Sequence, residues 1–367
     1  MKFQRSGLVA GIALTATIAL TACGSDNNDK GSDTGAAAPS AGTCAGGTLT
    51  AQGSSAQKNA MDEWIKAYTA ACADAKIDYQ GTGSGAGVKA FISGLADFAG
   101  SDSALKDDEQ PQADAKCGSP ALNLPMVTGP IAVVYNVDGA DGLQLSPSTI
   151  AKIFAGTITK WDDPAIKAEN ADAKLPSATI EAVHRSDESG TTDNFTKYLS
   201  KTAEKDWTFD HSKVWPATKG GTGAPKSDGV AAKIKSTPNT ISYVELSFAE
   251  NSSLKMAKVK NGAGEYTELT PEAAGKAIEG ATVKGTGDDL KLDIDYNTKT
   301  AGAYPIVLAT YEIVCTKYAD AAKGKAVQGF LKYTASAEGQ KKLADLGYAP
   351  LPETVRAKVA ASVDKLS

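Results

Sequence analysis

The sequence predicts an α/β fold of two lobes, each built on a mostly parallel sheet, with a cleft between them. First, β-rich runs alternate with helical patterns along the chain, as where residues 48–51 are followed by Ala60, Met61, Trp64, Ile65 and Tyr68 at helical spacing. Second, two long apolar β-rich runs, residues 122–135 and 304–314, have the character of crossings between halves, the first interrupted by Pro125, Gly129 and Pro130. Third, glycine- and serine-rich turns stand where strands run into helices, which is where open α/β sheets bind ligands. At 367 residues and 42% hydrophobic, the chain can bury two cores.

The first segment reads as a processing signal rather than a fold element. Lys2 and Arg5 make a short positive region, and residues 8–20 are an apolar run too short for a stable membrane span. Leu20-Thr21-Ala22-Cys23 resembles the bacterial lipobox, in which the cysteine is lipidated and becomes the first mature residue. Residues 24–43 are Gly, Ser, Asp, Asn and Ala without periodicity, the composition of a flexible tether. The expected layout is a signal peptide over residues 1–22, a tether from Cys23 to residue 43, lobe I over 44–128 with 302–367, and lobe II over 129–301. The mature protein is expected outside the cytoplasmic membrane, anchored by lipid and monomeric.

The formal charge of -5 becomes more negative once Lys2 and Arg5 are removed. Such a chain has no broad positive field for gathering anions or nucleic acid, so an anion site must be local. Beyond Cys23, four cysteines remain, and an even count outside the cytoplasm predicts two disulfides. Three pairings are open. Cys44 precedes the first strand and Cys72 closes the helix before the second, which favours Cys44 with Cys72 and Cys117 with Cys315. No cysteine spacing suggests zinc, and with only His184 and His211 a His-based metal site is not expected.

Residues 48–51 form a first strand, Gln52-Gly53-Ser54-Ser55-Ala56 a turn, and a helix follows. Residues 77–80 form a second strand that runs into Gly81-Thr82-Gly83-Ser84-Gly85-Ala86-Gly87-Val88-Lys89 and another helix. This glycine run lacks the Gly-Lys-Ser/Thr close of a phosphate-binding P-loop and fits the dinucleotide fingerprint only loosely. Backbone N–H groups wrapped around an anion suit it better. A third strand over residues 97–100 ends at Ser101-Asp102. Residues 103–120 read as a polar loop, 148–154 as a helix, 229–234 as a helix, 241–244 as a strand, and 251–300 as irregular. The C-terminal region is helical, with Val327, Phe330, Leu331, Leu343 and residues 355–363 on its apolar faces.

One stretch organises the rest: His184-Arg185-Ser186-Asp187-Glu188-Ser189-Gly190-Thr191-Thr192. The β-rich residues 179–183 lead into it, and a helix with Phe195, Tyr198 and Leu199 on one face leaves it. Ser189 or Thr191 is the N-cap. The first N–H groups of a helix lack internal partners and carry the positive end of its dipole. Two hydroxyls, those N–H groups and a guanidinium held by Asp187 make an anion site. A capped helix with a surface Arg–Asp pair is the plainer account of this stretch taken alone.

Several segments, in this order, resemble the PstS family, the extracytoplasmic phosphate-binding proteins of phosphate ABC transporters. They are residues 49–55, 80–89, 97–102, 153–164, 185–191, 229–249, 304–310 and 347–352. The resemblance implies a hinged, two-lobed periplasmic-binding-protein-like fold of type II with mixed, mostly parallel sheets and an inter-lobe cleft. It implies binding of inorganic phosphate, membrane permease subunits as partners, and no cofactor. It places Ser55 at the family's first-turn hydroxyl, or Ser54 in a register shifted by one, with Ala56 offering its backbone N–H. Ser84 matches the second-turn hydroxyl and Asp102 the carboxylate that accepts the phosphate proton. Arg185, Ser189, Gly190 and Thr191 match the other lobe's share, with Asp187 orienting the arginine.

Chemistry supports that assignment of Asp102. Near neutral pH phosphate keeps a proton and sulfate has none, so one acceptor among donors rewards phosphate and repels sulfate. A secreted phosphatase is the reading from another class, but hydrolysis needs a metal pair or an activated nucleophile, and the candidate residues are poor in both. A binder of sulfate, molybdate or a phosphate ester is the third, and Asp102 argues against unprotonated oxyanions. Ser362-Val363-Asp364-Lys365 imitates a Ser-x-x-Lys motif by chance at the end of a helix.

Overall fold

The computed structural model describes residues 44–216 and 220–367. The leader, the tether and Cys23 lie outside them. Strand β1 (Gly47–Gly53), helix α1 (Lys58–Ala71), strand β2 (Ala75–Gln80), helix α2 (Ser84–Ile92) and strand β3 (Phe98–Ser101) follow one another. In β1 the residues Leu49, Ala51 and Gly53 alternate into the buried face, as a half-buried strand requires. α1 buries Ala60, Met61, Trp64 and Tyr68, the stripe that the helical spacing predicts. β1 pairs in parallel with β2 on one side and β3 on the other.

Strand β4 (Ala121–Asn136) joins the two halves. Its first part pairs with the strand Val307–Cys315, from Cys315 opposite Ala121 to Val307 opposite Pro130. Its second part, from Ile131 to Asn136, pairs with the strand Thr240–Glu245. Residues 122–135 are therefore one continuous strand rather than a broken run. Pro125 is tolerated beside a register shift at Thr310 and Tyr311, Pro130 stands opposite Val307 where that ladder ends, and Ile131 donates its N–H to Ile306 O at 2.9 Å. Beyond β4, Thr240–Glu245 pairs in parallel with Glu181–Arg185, and that strand pairs in parallel with Thr222–Ala224. Within this sheet, parallel pairing is thus confined to the outer trio of each half. Both crossing strands pair antiparallel, so the sheet is mixed rather than mostly parallel. The reason is connectivity: a chain that crosses and later returns runs in opposite directions.

Two apolar cores lie along this sheet. One gathers Leu49, Trp64, Phe91, Phe98, Leu124, Val314 and Phe330. The other gathers Val133, Phe154, Trp161, Phe195, Tyr243 and Tyr304. All four tryptophans are buried packing groups. Two sequence expectations fail here. Residues 103–120 contain the helix Gln110–Cys117, which the pattern concealed because Ala113 is its only buried residue. Residues 251–300 contain the helix Pro271–Glu279, capped by Thr270, whose Oγ1 accepts from Ala273 N, together with short strand pairs.

The disulfides are Cys44–Cys72 and Cys117–Cys315, closing loops of 28 and 198 residues. In the chain-entropy account a loop of 15 residues contributes about 3 kcal/mol and one of 100 about 4.7 kcal/mol. Cys117→Ser is therefore expected to lower Tm more than Cys72→Ser, as measured by calorimetric melting. Equal losses would mean that native-state contacts, not loop closure, set the effect.

Candidate functional site

The C-terminal ends of six strands meet at one place. Ser54, Ser55 and Ala56 follow β1, Ser84 opens α2, and Asp102 follows β3. From the other half, Arg185 ends the strand Glu181–Arg185 and Ser189 follows it, Ser227 follows Thr222–Ala224, and Glu245 ends Thr240–Glu245. All of these are buried, none more than 4% exposed. Every sequence-predicted site residue outside the leader and the disulfides is brought together here.

Asp102 is surrounded by hydroxyls. Ser54 Oγ donates to its Oδ1 at 2.5 Å, Thr310 Oγ1 to the same oxygen at 2.7 Å, and Ser84 Oγ to Oδ2 at 3.0 Å. Burial pushes this carboxyl up to about 6; the Ser54 bond pulls it down and the charge of Glu245 adds to the rise. Asp102 is thus held in place as an acceptor facing the opposite lobe.

Arg185 comes from that lobe. Its Nε donates to Asp187 Oδ1 at 2.8 Å and its Nη2 to Asp187 Oδ2 at 2.5 Å, a two-point grip that fixes the guanidinium plane. Burial opposes the arginine's charge, but Asp187 more than offsets it and the group stays firmly cationic. Asp187 in turn lies below the ordinary carboxylate range, because the arginine outweighs its burial. Nη1 is directed toward Thr191 Oγ1 at 3.4 Å and Ser227 Oγ at 3.2 Å.

The helix Gly190–Thr202 starts at this point. Ser189 is its N-cap, accepting from Thr192 N at 3.2 Å. A Cβ on Gly190 would lie 2.5 Å from Asp102 Cβ and 2.6 Å from Ser84 Oγ. Only glycine lets the helix start meet the opposite turns this closely. Further contacts join the halves: Asn194 Nδ2 donates to Asp102 O at 2.7 Å, and Ser55 Oγ pairs with Ser227 Oγ at 2.9 Å. Gly85 N donates to Glu188 O at 3.0 Å, and Lys89 Nζ pairs with Glu188 at 2.7 Å on the rim. The arrangement is closed. It offers hydroxyls, helix-start N–H groups and one guanidinium around the buried carboxylate of Asp102, with a second buried carboxylate, Glu245, accepting from Thr191. This suits a small protonated oxyanion.

Sequence reasoning missed four of these residues. Thr310 is hidden in an apolar strand, and Asn194 lies inside a helix. Ser227 opens a helix whose start the pattern placed at residue 229. Glu245 had a usable signal, since it is the one charged residue in the strand Thr240–Glu245, which is buried throughout.

Behind Asp102 lies Glu312, fully buried. Burial pushes its carboxyl up to about 8, with Gln57 pulling it down and the charge of Asp102 adding to the rise. The folded state therefore holds this proton more tightly than the unfolded chain does. Its contribution to stability is complete below the ordinary value of 4.5 and is lost as pH rises through about 8. Glu312→Gln is expected to flatten the fall in Tm as pH rises from about 5 to 8, a slope equivalent to up to roughly 1.4 kcal/mol per pH unit. Coincident Tm profiles for the two proteins would assign the fall elsewhere.

A family model described as a PBP superfamily domain matches residues 38–338. The phosphate-binding protein PstS 3 of Mycobacterium tuberculosis is 44% identical over 372 residues, covering 100% of both chains. The phosphate-binding protein PstS of Methanocaldococcus jannaschii is 36% identical, covering 83% of this chain and 82% of its own. Among solved structures, the phosphate-binding protein of Stenotrophomonas maltophilia aligns with a TM-score of 0.67 at 21% identity, covering 86% of this chain and 93% of that one. This last likeness concerns the fold.

Proposed function

As the chain belongs to the PstS family of phosphate-binding proteins, we propose that it captures inorganic phosphate outside the cytoplasmic membrane and delivers it to the permease subunits of a phosphate ABC transporter. One observation carries this reading. Asp102 is a buried acceptor set opposite Arg185 and the start of the helix Gly190–Thr202, with the hydroxyl donors Ser54, Ser84 and Thr310 of its own half around it. Phosphate is a small anion that brings its own proton to such an acceptor.

In this reading Ser54, Ser55, Ser84, Ser189 and Thr191 supply hydroxyl or N–H donors. Ala56 and Gly190 supply N–H groups, Arg185 the charge, and Asp187 its orientation. Charge-assisted bonds contribute roughly 1.5–3 kcal/mol each. A handful, less closure and desolvation costs, reaches about -8 kcal/mol, on the order of micromolar or tighter. Residues 44–128 with 302–367 and residues 129–301 act as the two lobes, hinged at the crossing strands. The protein does no covalent chemistry, works as a monomer, and is tethered through lipid on Cys23.

Calorimetric titration of the phosphate-stripped mature protein, first with phosphate and then with sulfate, tests this. Tight one-to-one binding of phosphate with sulfate silent is the expected result. A folded protein that binds no phosphate would overturn it.

A further inference from the structure

Arg185 and Lys213 are the two cations buried among the described residues, Lys213 with 4% of its side chain exposed. Unlike the arginine, Lys213 has no hydrogen-bond partner at its Nζ. The acid paired with it is Glu109, whose Oε2 lies 3.7 Å away, too far for a hydrogen bond. Burying an ammonium is costly unless it is paired and hydrogen-bonded, so packing alone does not account for a lysine at this place.

The pair spans the two proposed lobes, since Glu109 lies in residues 44–128 and Lys213 in residues 129–301. A second bridge runs beside it. Ser103 Oγ donates to Asp193 Oδ2 at 2.6 Å, and His211 Nδ1 donates to Asp193 Oδ1 at 2.7 Å. Burial pushes the Asp193 carboxyl up, but the bonds from His211 and Ser103 and the charge of Lys213 outweigh it and hold it below the ordinary carboxylate range. This seam also touches the anion site. Ser189 donates its backbone N–H to Lys213 O at 2.8 Å. Asp102, Ser103, Asp193 and His211 line one cavity of about 200 Å³, so the seam borders the site on the Asp102 side.

Resting on the phosphate reading and its two lobes, we infer that Lys213 is a positioning residue that makes closure around phosphate conditional on Glu109. With the lobes apart, water solvates both charges. When they close, Lys213 loses that water and the Glu109 carboxylate comes to meet it. Without that carboxylate, the closed state holds an unpaired cation on the segment that carries Ser189, and it reopens sooner. The pair thus sets how long phosphate stays rather than how fast it enters. Replacing a buried ion pair by apolar groups is often neutral, whereas removing one partner is strongly unfavourable. Loss of both charges should therefore be milder than loss of Glu109 alone.

Chasing labelled inorganic phosphate from the mature protein with excess unlabelled phosphate measures release, and equilibrium dialysis adds Kd and hence the association rate. Glu109→Gln is expected to release phosphate about tenfold faster or more, with association within about threefold of wild type. The amide oxygen can still accept the Lys106 N–H that Glu109 Oε2 accepts at 3.0 Å, so the local turn is kept. Adding Lys213→Met to Glu109→Gln is expected to bring release back to about the wild-type rate. Wild-type release from Glu109→Gln would overturn the inference, and so would a double variant that releases as fast as Glu109→Gln. A measurement without variants stands beside this. Acetylation of Lys213, followed by mass spectrometry, is expected to be about tenfold slower or more with phosphate bound than in the phosphate-stripped protein. Equal rates would overturn the inference. Failure of wild type to bind phosphate would instead overturn the reading on which it rests.

Discussion

Arg185→Ala is expected to weaken phosphate binding roughly a hundredfold or more in calorimetric titration. A guanidinium has five N–H donors, of which Asp187 engages two. The Nη1 contacts to Thr191 and Ser227, at 3.4 and 3.2 Å, are long and readily given up to an anion. Losing two charge-assisted bonds removes about 3 kcal/mol or more, which sets the hundredfold scale. The variant is also expected to melt lower, because Asp187 loses its partner. With 22% of its side chain exposed, water compensates part of that loss. The drop should therefore fall short of the about 3–5 kcal/mol of a fully buried broken pair. Arg185→Lys keeps the charge without the planar fork and should lie between the two. A change below about tenfold in Arg185→Ala would make the arginine peripheral.

Asp102→Asn is expected to make sulfate binding measurable and to narrow the preference for phosphate by about tenfold or more. The carboxylate repels an oxyanion without a proton, whereas the amide can donate to it. Acid should do part of the same to wild type. Burial raises the Asp102 carboxyl to about 6, so it gains a proton as pH falls through that value and stops acting as the acceptor. Competition titrations at about pH 7.5 and 5 should show discrimination shrinking in wild type and staying flat in Asp102→Asn. Sulfate binding that stays undetectable in the variant would mean that discrimination comes from elsewhere in the closed site.

Both predictions concern residues visible in the sequence, and the reason is local. A strand end, a Gly/Ser turn and a capped helix start are written in consecutive residues, so Ser54, Ser84, Arg185 and Ser189 could be found by reading along the chain. Asp102 stood out as a carboxylate among anion-binding turns. The pairing of Cys44 with Cys72 followed from neighbouring elements in the same way.

What is distributed across the chain was not legible. Thr310 lies 208 residues from Asp102, and Ser227 lies 172 from Ser55, yet each forms a hydrogen bond with the other member of its pair. The helix Gln110–Cys117 was missed because it buries almost nothing, and the antiparallel crossing because strand direction is set by the path of the whole chain. By itself the sequence determined the fold class and the turns that carry the candidate donors, since each rests on short-range pattern and residue type. Only the tertiary structure decided which distant side chains complete the site, that Glu245 and Glu312 stand buried beside Asp102, and that glycine is required at residue 190, because long-range contact and burial arise only when the two halves meet.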